Sequence, residues 1–373
     1  MAWDIPLLKI GNLEMKLIQG GMGVGISLVD LPVANAEAGG AGIIASVELG
    51  SLLEYTLDKN NPSKRNEDAL RDVIRSARKK TNGIIGVNVM YALTHCNELA
   101  KVSFEEDVDL LITGAGPFSD LPRYMGNSKT LIAPIVNSAR TANFFCRVWN
   151  KLGHSPDFIV VEGPAAGGHL GYDKYNSKKP EVTDNLDNIE FVEHGLGRII
   201  VDVVKEVKQF EEAYHKKIPV VAAGGIFYGG DIRKQHELGA SGVQMAQRLA
   251  SAEEGDADLR WKQKVIDCKK EDIIYINSPV GMTGRAINNE FLESVKRGER
   301  KPRCCKYQCL KTCNPVTSSY CIAQALKEAQ KGNLDNGFVF SSTNAWRNKE
   351  DGIVPIKNIY NKLPQEYLDN KRS

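Results

Sequence analysis

The sequence predicts an α/β fold, a (β/α)8 (TIM) barrel followed by a C-terminal, mostly helical, cysteine-containing extension. Three observations carry this prediction. Eight short runs rich in Val, Ile and Ala recur before residue 250, and charged amphipathic stretches separate them. Continuous apolar runs of strand length mark parallel strands buried on both faces, and the amphipathic stretches between them suit crossover helices. A chain of 373 residues accommodates one such barrel with additions at its ends.

Taken in order, the runs cover residues 17–22, 41–46, 84–90, 108–113, 131–136, 158–162, 219–224 and 242–247. Between the second and third, residues 66–80 place Ala69, Leu70, Val73, Ile74 and Ala77 on one helical face, and residues 198–214 read as another helix. An open doubly wound sheet is the competing architecture. Its nucleotide fingerprint is only superficially offered by Gly20-Gly-Met-Gly-Val-Gly25, because no acidic residue closes a second strand about 20 residues later. The barrel is therefore expected over residues 1–254. The extension follows over residues 255–373, packed on the barrel, with a cysteine-rich segment at 304–321. A polar stretch at residues 172–190 follows the sixth run and would project from the C-terminal face, as a lid or as a solvated insertion.

The composition, 42% hydrophobic and 25% charged with a net charge of +2, is ordinary for a globular enzyme and gives no reason to expect nucleic acid as a partner. No apolar run approaches the roughly 18 residues that cross a bilayer, and Met1-Ala-Trp-Asp-Ile-Pro6 lacks the basic and apolar regions of a signal peptide, so a cytoplasmic protein without membrane partners is expected. A homodimer is compatible with the sequence.

In a parallel barrel the C-terminal ends of the strands carry the active site. The seventh and eighth runs end in Ala222-Ala-Gly-Gly-Ile226 and Met245-Ala-Gln-Arg248, where bare backbone amides can approach a phosphate, although tight turns would use the same glycines. A phosphorylated ligand is the expectation. The sixth run ends in Glu162 and passes through glycines to His169. A histidine at a strand end can donate a hydrogen bond or move a proton near neutral pH, and the glycines around it argue against a purely structural core role.

The ordered elements Ile18-Gln-Gly-Gly-Met22, Ala38-Gly-Gly-Ala-Gly42, Gly86-Val-Asn-Val-Met90, Ala165-Ala-Gly-Gly-His169, Pro219-Val-Val-Ala-Ala-Gly-Gly-Ile226, Leu238-Gly-Ala-Ser-Gly-Val-Gln244 and Gly281-Met-Thr-Gly-Arg-Ala286 span most of residues 17–286. In them the chain resembles the nitronate monooxygenases, once called 2-nitropropane dioxygenases, and the related flavin-dependent enoyl-acyl-carrier-protein reductases. The resemblance implies non-covalent FMN at the barrel mouth. Met22 and Asn88 would border the flavin, Glu162 would lie under its ribityl region, and Gly168 with the catalytic His169 would approach its reactive edge. Ala223, Gly224, Gly225, Ala246 and Gln247 would hold the phosphate. Where the family commonly has Gly-Thr-Arg, this chain has Ala246-Gln-Arg248, so an expected hydroxyl donor is replaced by an amide.

Two activities are implied, oxidation of an alkyl nitronate with oxygen, or reduction of an enoyl thioester fed by NAD(P)H. A flavin-free phosphate-binding barrel enzyme is the reading of another class, since a fold does not fix a function. Independently, Cys305, Cys309, Cys313 and Cys321 supply four thiols within seventeen residues, enough for an iron–sulfur cluster or a zinc ion, with Lys306 and Lys311 nearby to favour thiolates. Their spacing is not a C-x2-C run, and the neighbouring Cys304 leaves the ligand set ambiguous. Reduced structural or redox-active thiols are the alternative. Were a cluster present, the protein could serve as an electron carrier.

Overall fold

The computed structural model describes residues 3–58, 60–172, 186, 188–301, 305 and 307–373. Eight parallel strands close into a barrel: β1 (Ile18–Gln19), β2 (Ala41–Ala45), β3 (Ile84–Met90), β4 (Leu110–Gly114), β5 (Leu131–Val136), β6 (Ile159–Glu162), β7 (Val220–Ala223) and β8 (Gly242–Met245). Each strand pairs with its neighbours in sequence, and β8 returns to β1 through Gln244 opposite Ile18. All eight expected runs are strands of this barrel. The first is the shortest, because the chain leaves the ladder at Gly20.

Alternation along each strand divides the core into two shells. Ile43, Leu110, Ile112, Val160, Val221 and Ala223 point into the barrel, whereas Ile44, Leu111, Ile159, Val161, Val220 and Ala222 point out under the helices. An N-terminal hairpin, Leu8–Ile10 against Leu13–Met15, joins the inner shell. Leu8 lies where a Cβ on Gly242, the first residue of β8, would meet it at 2.9 Å, so the hairpin plugs the N-terminal end and leaves the opposite mouth open. The expected helix at 66–80 is observed as Lys64–Lys80 with Ala69, Leu70, Val73, Ile74 and Ala77 buried, and that at 198–214 as the longer Ile189–Tyr214. The 172–190 insertion falls mostly outside the described residues; Tyr172 and Leu186 are buried.

The extension contributes helices at Leu259–Asp267, Glu290–Lys296, Ile322–Gln330 and Ile356–Leu368. It also contains a small antiparallel sheet, Ile273–Asn277, Thr283–Ile287 and Val339–Phe340, which apolar periodicity did not announce. Asp256 fastens the start of the extension to the barrel by accepting hydrogen bonds from the backbone N–H groups of Leu28, Val29, Asp30 and Leu31 at 2.9–3.1 Å, capping the helix Asp30–Glu37. Farther on, Arg248 after β8 is buried against Asp351 at 2.6 Å and Glu366 at 2.7 Å. Among the described residues no helix is long and apolar enough to cross a membrane.

Candidate active site

The open mouth of the barrel leads into a cavity of about 1740 Å³, counting the space open to solvent. Met22, Asn88, Glu162, Gly168, His169, Ala223, Gly224, Gly225, Ala246 and Gln247 all line it. The structure thus gathers around one space every barrel residue that the sequence singled out. β7 and β8 place Gly224 and Gly225 on one side, β6 places Glu162 and the histidine loop next to them, and β3 places Asn88 across the mouth.

Gly224 and Gly225 adopt φ of +86° and +92°, and a Cβ on Gly224 would lie 2.8 Å from the carbonyl oxygen of Gly163. Only glycine fits that backbone, which leaves main chain instead of side chain facing the cavity. Room for a large ligand and a side-chain-free cradle at the β7–β8 end fit a phosphorylated flavin.

His169 is not held by the barrel alone. With Gly168 it forms a two-residue strand on the extension's sheet, Gly168 opposite Arg285 and His169 opposite Gly284. Leu170 N–H continues the pairing to the Thr283 carbonyl at 2.9 Å. The imidazole Nε2 lies 2.7 Å from the Ser278 hydroxyl, and the ring packs edge-on against Phe340 at 5.1 Å. Arg285, 2% exposed, clamps the preceding loop by donating to the carbonyls of Ala166 and Pro164, and to the Tyr275 hydroxyl. The quoted Gly281-to-Ala286 element holds the signal for Arg285, but nothing in the sequence marked Ser278.

Burial sets the charge of both titratable groups. Desolvation pushes His169 down to about 4, so the imidazole is neutral at physiological pH. Desolvation also pushes Glu162 up to about 7, against the opposing pull of the Gly171 N–H and the Arg285 charge.

These two shifts act oppositely on stability. Below pH 6.5 an unfolded His169 binds a proton that the folded one refuses, so its contribution rises as pH climbs from 4 to 6.5. Above pH 4.5 an unfolded Glu162 releases a proton that the folded one keeps, so its contribution falls from pH 4.5 to 7. At about 1.4 kcal/mol per pKa unit each is worth up to roughly 3 kcal/mol, and in the protein they largely offset one another. Urea midpoints at pH 4, 5.5 and 7 should separate them. Relative to the unsubstituted protein, Glu162→Gln gains stability as pH rises through this window and His169→Asn gains as it falls; parallel profiles for all three proteins would refute both shifts.

The extension completes the cavity wall. Cys309 and Leu310 lie across the mouth as a strap, fixed by Thr94 N–H to the Cys309 carbonyl at 3.0 Å and Lys311 N–H to the Ala92 carbonyl at 2.8 Å. Ile322, Ala323 and Leu326 continue this apolar side. Glu48, a further wall residue absent from the sequence reading, is hydrogen-bonded by the Tyr307 hydroxyl and by Asn66.

No metal site is found at the proposed ligands among the described residues. Among the described residues no three His, Cys, Asp or Glu side chains are placed to hold a metal ion, and Cys304 and Lys306 lie outside the described residues. The Cys305 thiol donates to the Tyr307 carbonyl at 2.9 Å, and Cys313 Sγ lies 3.7 Å from the Ser318 hydroxyl. Burial pushes the Cys309 thiol up, and Glu48, Cys321, Cys305 and Cys313 add to the shift. Nor does Lys311 serve the cluster: its ammonium sits over the Tyr91 ring and 3.3 Å from Cys96 Sγ.

The family model for nitronate monooxygenases matches residues 99–366, well over half of the sequence. The chain belongs to the nitronate monooxygenase family. This is a family of flavin-dependent oxidoreductases. A probable nitronate monooxygenase of Staphylococcus haemolyticus (strain JCSC1435) is 34% identical over 145 residues, which cover 38% of this family member and 35% of the relative. The match therefore spans only about a third of that relative's length. A second relative, the (3aS,4S,5R,7aS)-5-hydroxy-7a-methyl-1-oxo-octahydro-1H-indene-4-carboxyl-CoA dehydrogenase of Mycobacterium tuberculosis (strain ATCC 25618 / H37Rv), is 24% identical over 302 residues, or 80% of this chain and 70% of the relative. The solved structure of FabK from Thermotoga maritima covers 95% of this chain and 93% of its own, with a TM-score of 0.69 and 25% identity.

Proposed function

We propose that this family member binds FMN and oxidises alkyl nitronates with oxygen. The observation that carries the reading is the placement of a neutral His169 on the wall of the same cavity that the Gly224–Gly225 cradle lines. Bound FMN would supply the two-electron redox chemistry, taking electrons from the substrate and passing them to oxygen. Ala223, Gly224, Gly225, Ala246 and Gln247 would hold its phosphate end, with Met22, Asn88, Glu162 and Gly168 beside the rest of the cofactor.

The protein's own part is positioning and proton control. Ser278 engages Nε2 of His169, which leaves Nδ1 as the ring nitrogen to meet a substrate. A neutral imidazole can donate to an anionic oxygen or accept a proton from carbon without first losing one of its own. Below about pH 7 Glu162 is protonated and adds no negative charge against an anionic nitronate. The strap of Cys309 and Leu310 and the side chains of Ile322 and Leu326 present an apolar surface to an alkyl group and exclude water.

A second reading, a reductase fed by NAD(P)H and acting on a thioester, draws on the similarity to the carboxyl-CoA dehydrogenase over 80% of the chain. An anaerobic titration of the FMN-loaded protein separates the two. Bleaching of the visible flavin band by propyl-2-nitronate, with NADH and NADPH inert, is the expected result. Bleaching by a nicotinamide alone would transfer the assignment to the reductase, and failure to bind FMN would overturn both readings.

A further inference from the structure

Charge is distributed unevenly around the cavity. Among the described residues its wall holds no lysine or arginine, while two carboxyl groups, Glu48 and Glu162, belong to it. Positive charge stands behind the histidine loop instead. Arg285 pairs with Gly168, the neighbour of His169, and its guanidinium donates to the Ala166 and Pro164 carbonyls and the Tyr275 hydroxyl, none of them a carboxylate. Its charge reaches Glu162 on the wall, so an anion that reacts beside His169 is favoured.

The wall beside the strap has the opposite character. Glu48 is buried there, and its Oε1 accepts from the Tyr307 hydroxyl, two residues before Cys309, and from Asn66 Nδ2 at 3.3 Å. Its Oε2 lies 3.5 Å from the Arg65 guanidinium, which stacks over the Tyr307 ring at 4.6 Å. Donors on both oxygens are the setting of a carboxylate. Arg65 is not a wall residue, so the member of this pair that lines the cavity is Glu48. Its companions on the wall are apolar: Val47 next to it in sequence, and Cys309 and Leu310 of the strap. A second carboxylate brought here by a ligand would exchange water for apolar side chains and meet Glu48 as a like charge.

We propose that the protein selects nitronates whose alkyl group is uncharged and rejects those whose alkyl group carries a carboxylate, with Glu48 as the specificity-determining residue. This rests on the nitronate reading above and narrows its substrate class.

Two nitronates of one skeleton test it, those of γ-nitrobutyrate and of its methyl ester, in anaerobic stopped-flow reduction of the FMN-loaded protein. Both share the reacting end, so the contributions of Glu162 and Arg285 cancel in the comparison. The half-saturating concentration should be about tenfold or more higher for the acid than for the ester, the scale of one like-charge pair in a partly buried setting. Glu48→Gln, which keeps an oxygen for Tyr307 and Asn66, should close most of that gap, and Glu48→Asp, which keeps the charge, should preserve it. Equal half-saturation by acid and ester in the unsubstituted protein, a gap that Glu48→Gln leaves intact, or one that Glu48→Asp closes as fully as Glu48→Gln would overturn the role of Glu48 and leave the nitronate reading standing. Reduction by neither compound would overturn the nitronate reading and this inference with it.

Discussion

His169→Ala is expected to retain flavin while turnover of propyl-2-nitronate falls about 10²-fold or more, the scale of a lost general acid or base. Retention follows from the position of His169 at one edge of a cavity whose cradle lies at β7 and β8, so removing the imidazole leaves the backbone facing the phosphate intact. The loss in rate follows from the absence of any substitute. Below about pH 7, where Glu162 is protonated, Ser278 is a poor base and Glu48 is engaged by Tyr307 and Asn66. Stopped-flow reduction of the FMN-loaded variant reads the step directly. A rate within twofold of the unsubstituted protein would sink the catalytic assignment.

Replacing Arg248 by Met should cost about 3–5 kcal/mol of folding stability, because it strands the Glu366 carboxylate, which has little access to water, and leaves Asp351 with Lys362 alone. The guanidinium reaches Asp351 at 2.6 Å, Glu366 at 2.7 Å and the Phe227 carbonyl at 3.0 Å. Glu366 in turn accepts the Gly229 N–H at 3.0 Å, so the loss would spread to the loop after β7. Changing Arg248, Asp351 and Glu366 together to well-packed apolar residues should recover much of the loss, since what destabilises is the unpaired charge. Urea unfolding of both variants decides the point. A single-variant loss under about 1 kcal/mol would mean that water reaches the stranded carboxylate.

The barrel was legible because its strands are buried on both faces and read as short apolar runs rich in Val, Ile and Ala, such as residues 131–136 and 158–162. The barrel side of the site was legible because chemistry there needs glycine, whose absence of a side chain shows in the letters themselves, as at Gly224 and Gly225. The extension's side was not. Ser278 meets His169 through a single hydroxyl that no periodicity predicts, and the sheet that carries the histidine loop is built from strands of two to five residues. Gln247 was read as an amide near a phosphate, and only the fold reveals that its Oε1 accepts the Ser342 N–H. The cysteines stand close in sequence, but their spacing gave no sign that Cys305 would meet the Tyr307 carbonyl and Cys313 the Ser318 hydroxyl.

The borrowed strand at Gly168 and His169 makes the boundary between barrel and extension a mechanical joint. The pair belongs by chain order to the barrel and by hydrogen bonding to the hairpin of Thr283–Ile287. Any fluctuation that peels the hairpin away also withdraws the histidine, its Ser278 partner and the Arg285 clamp in one motion. Local opening here is therefore all-or-none with respect to competence, with no intermediate in which the base is in place and its support is gone.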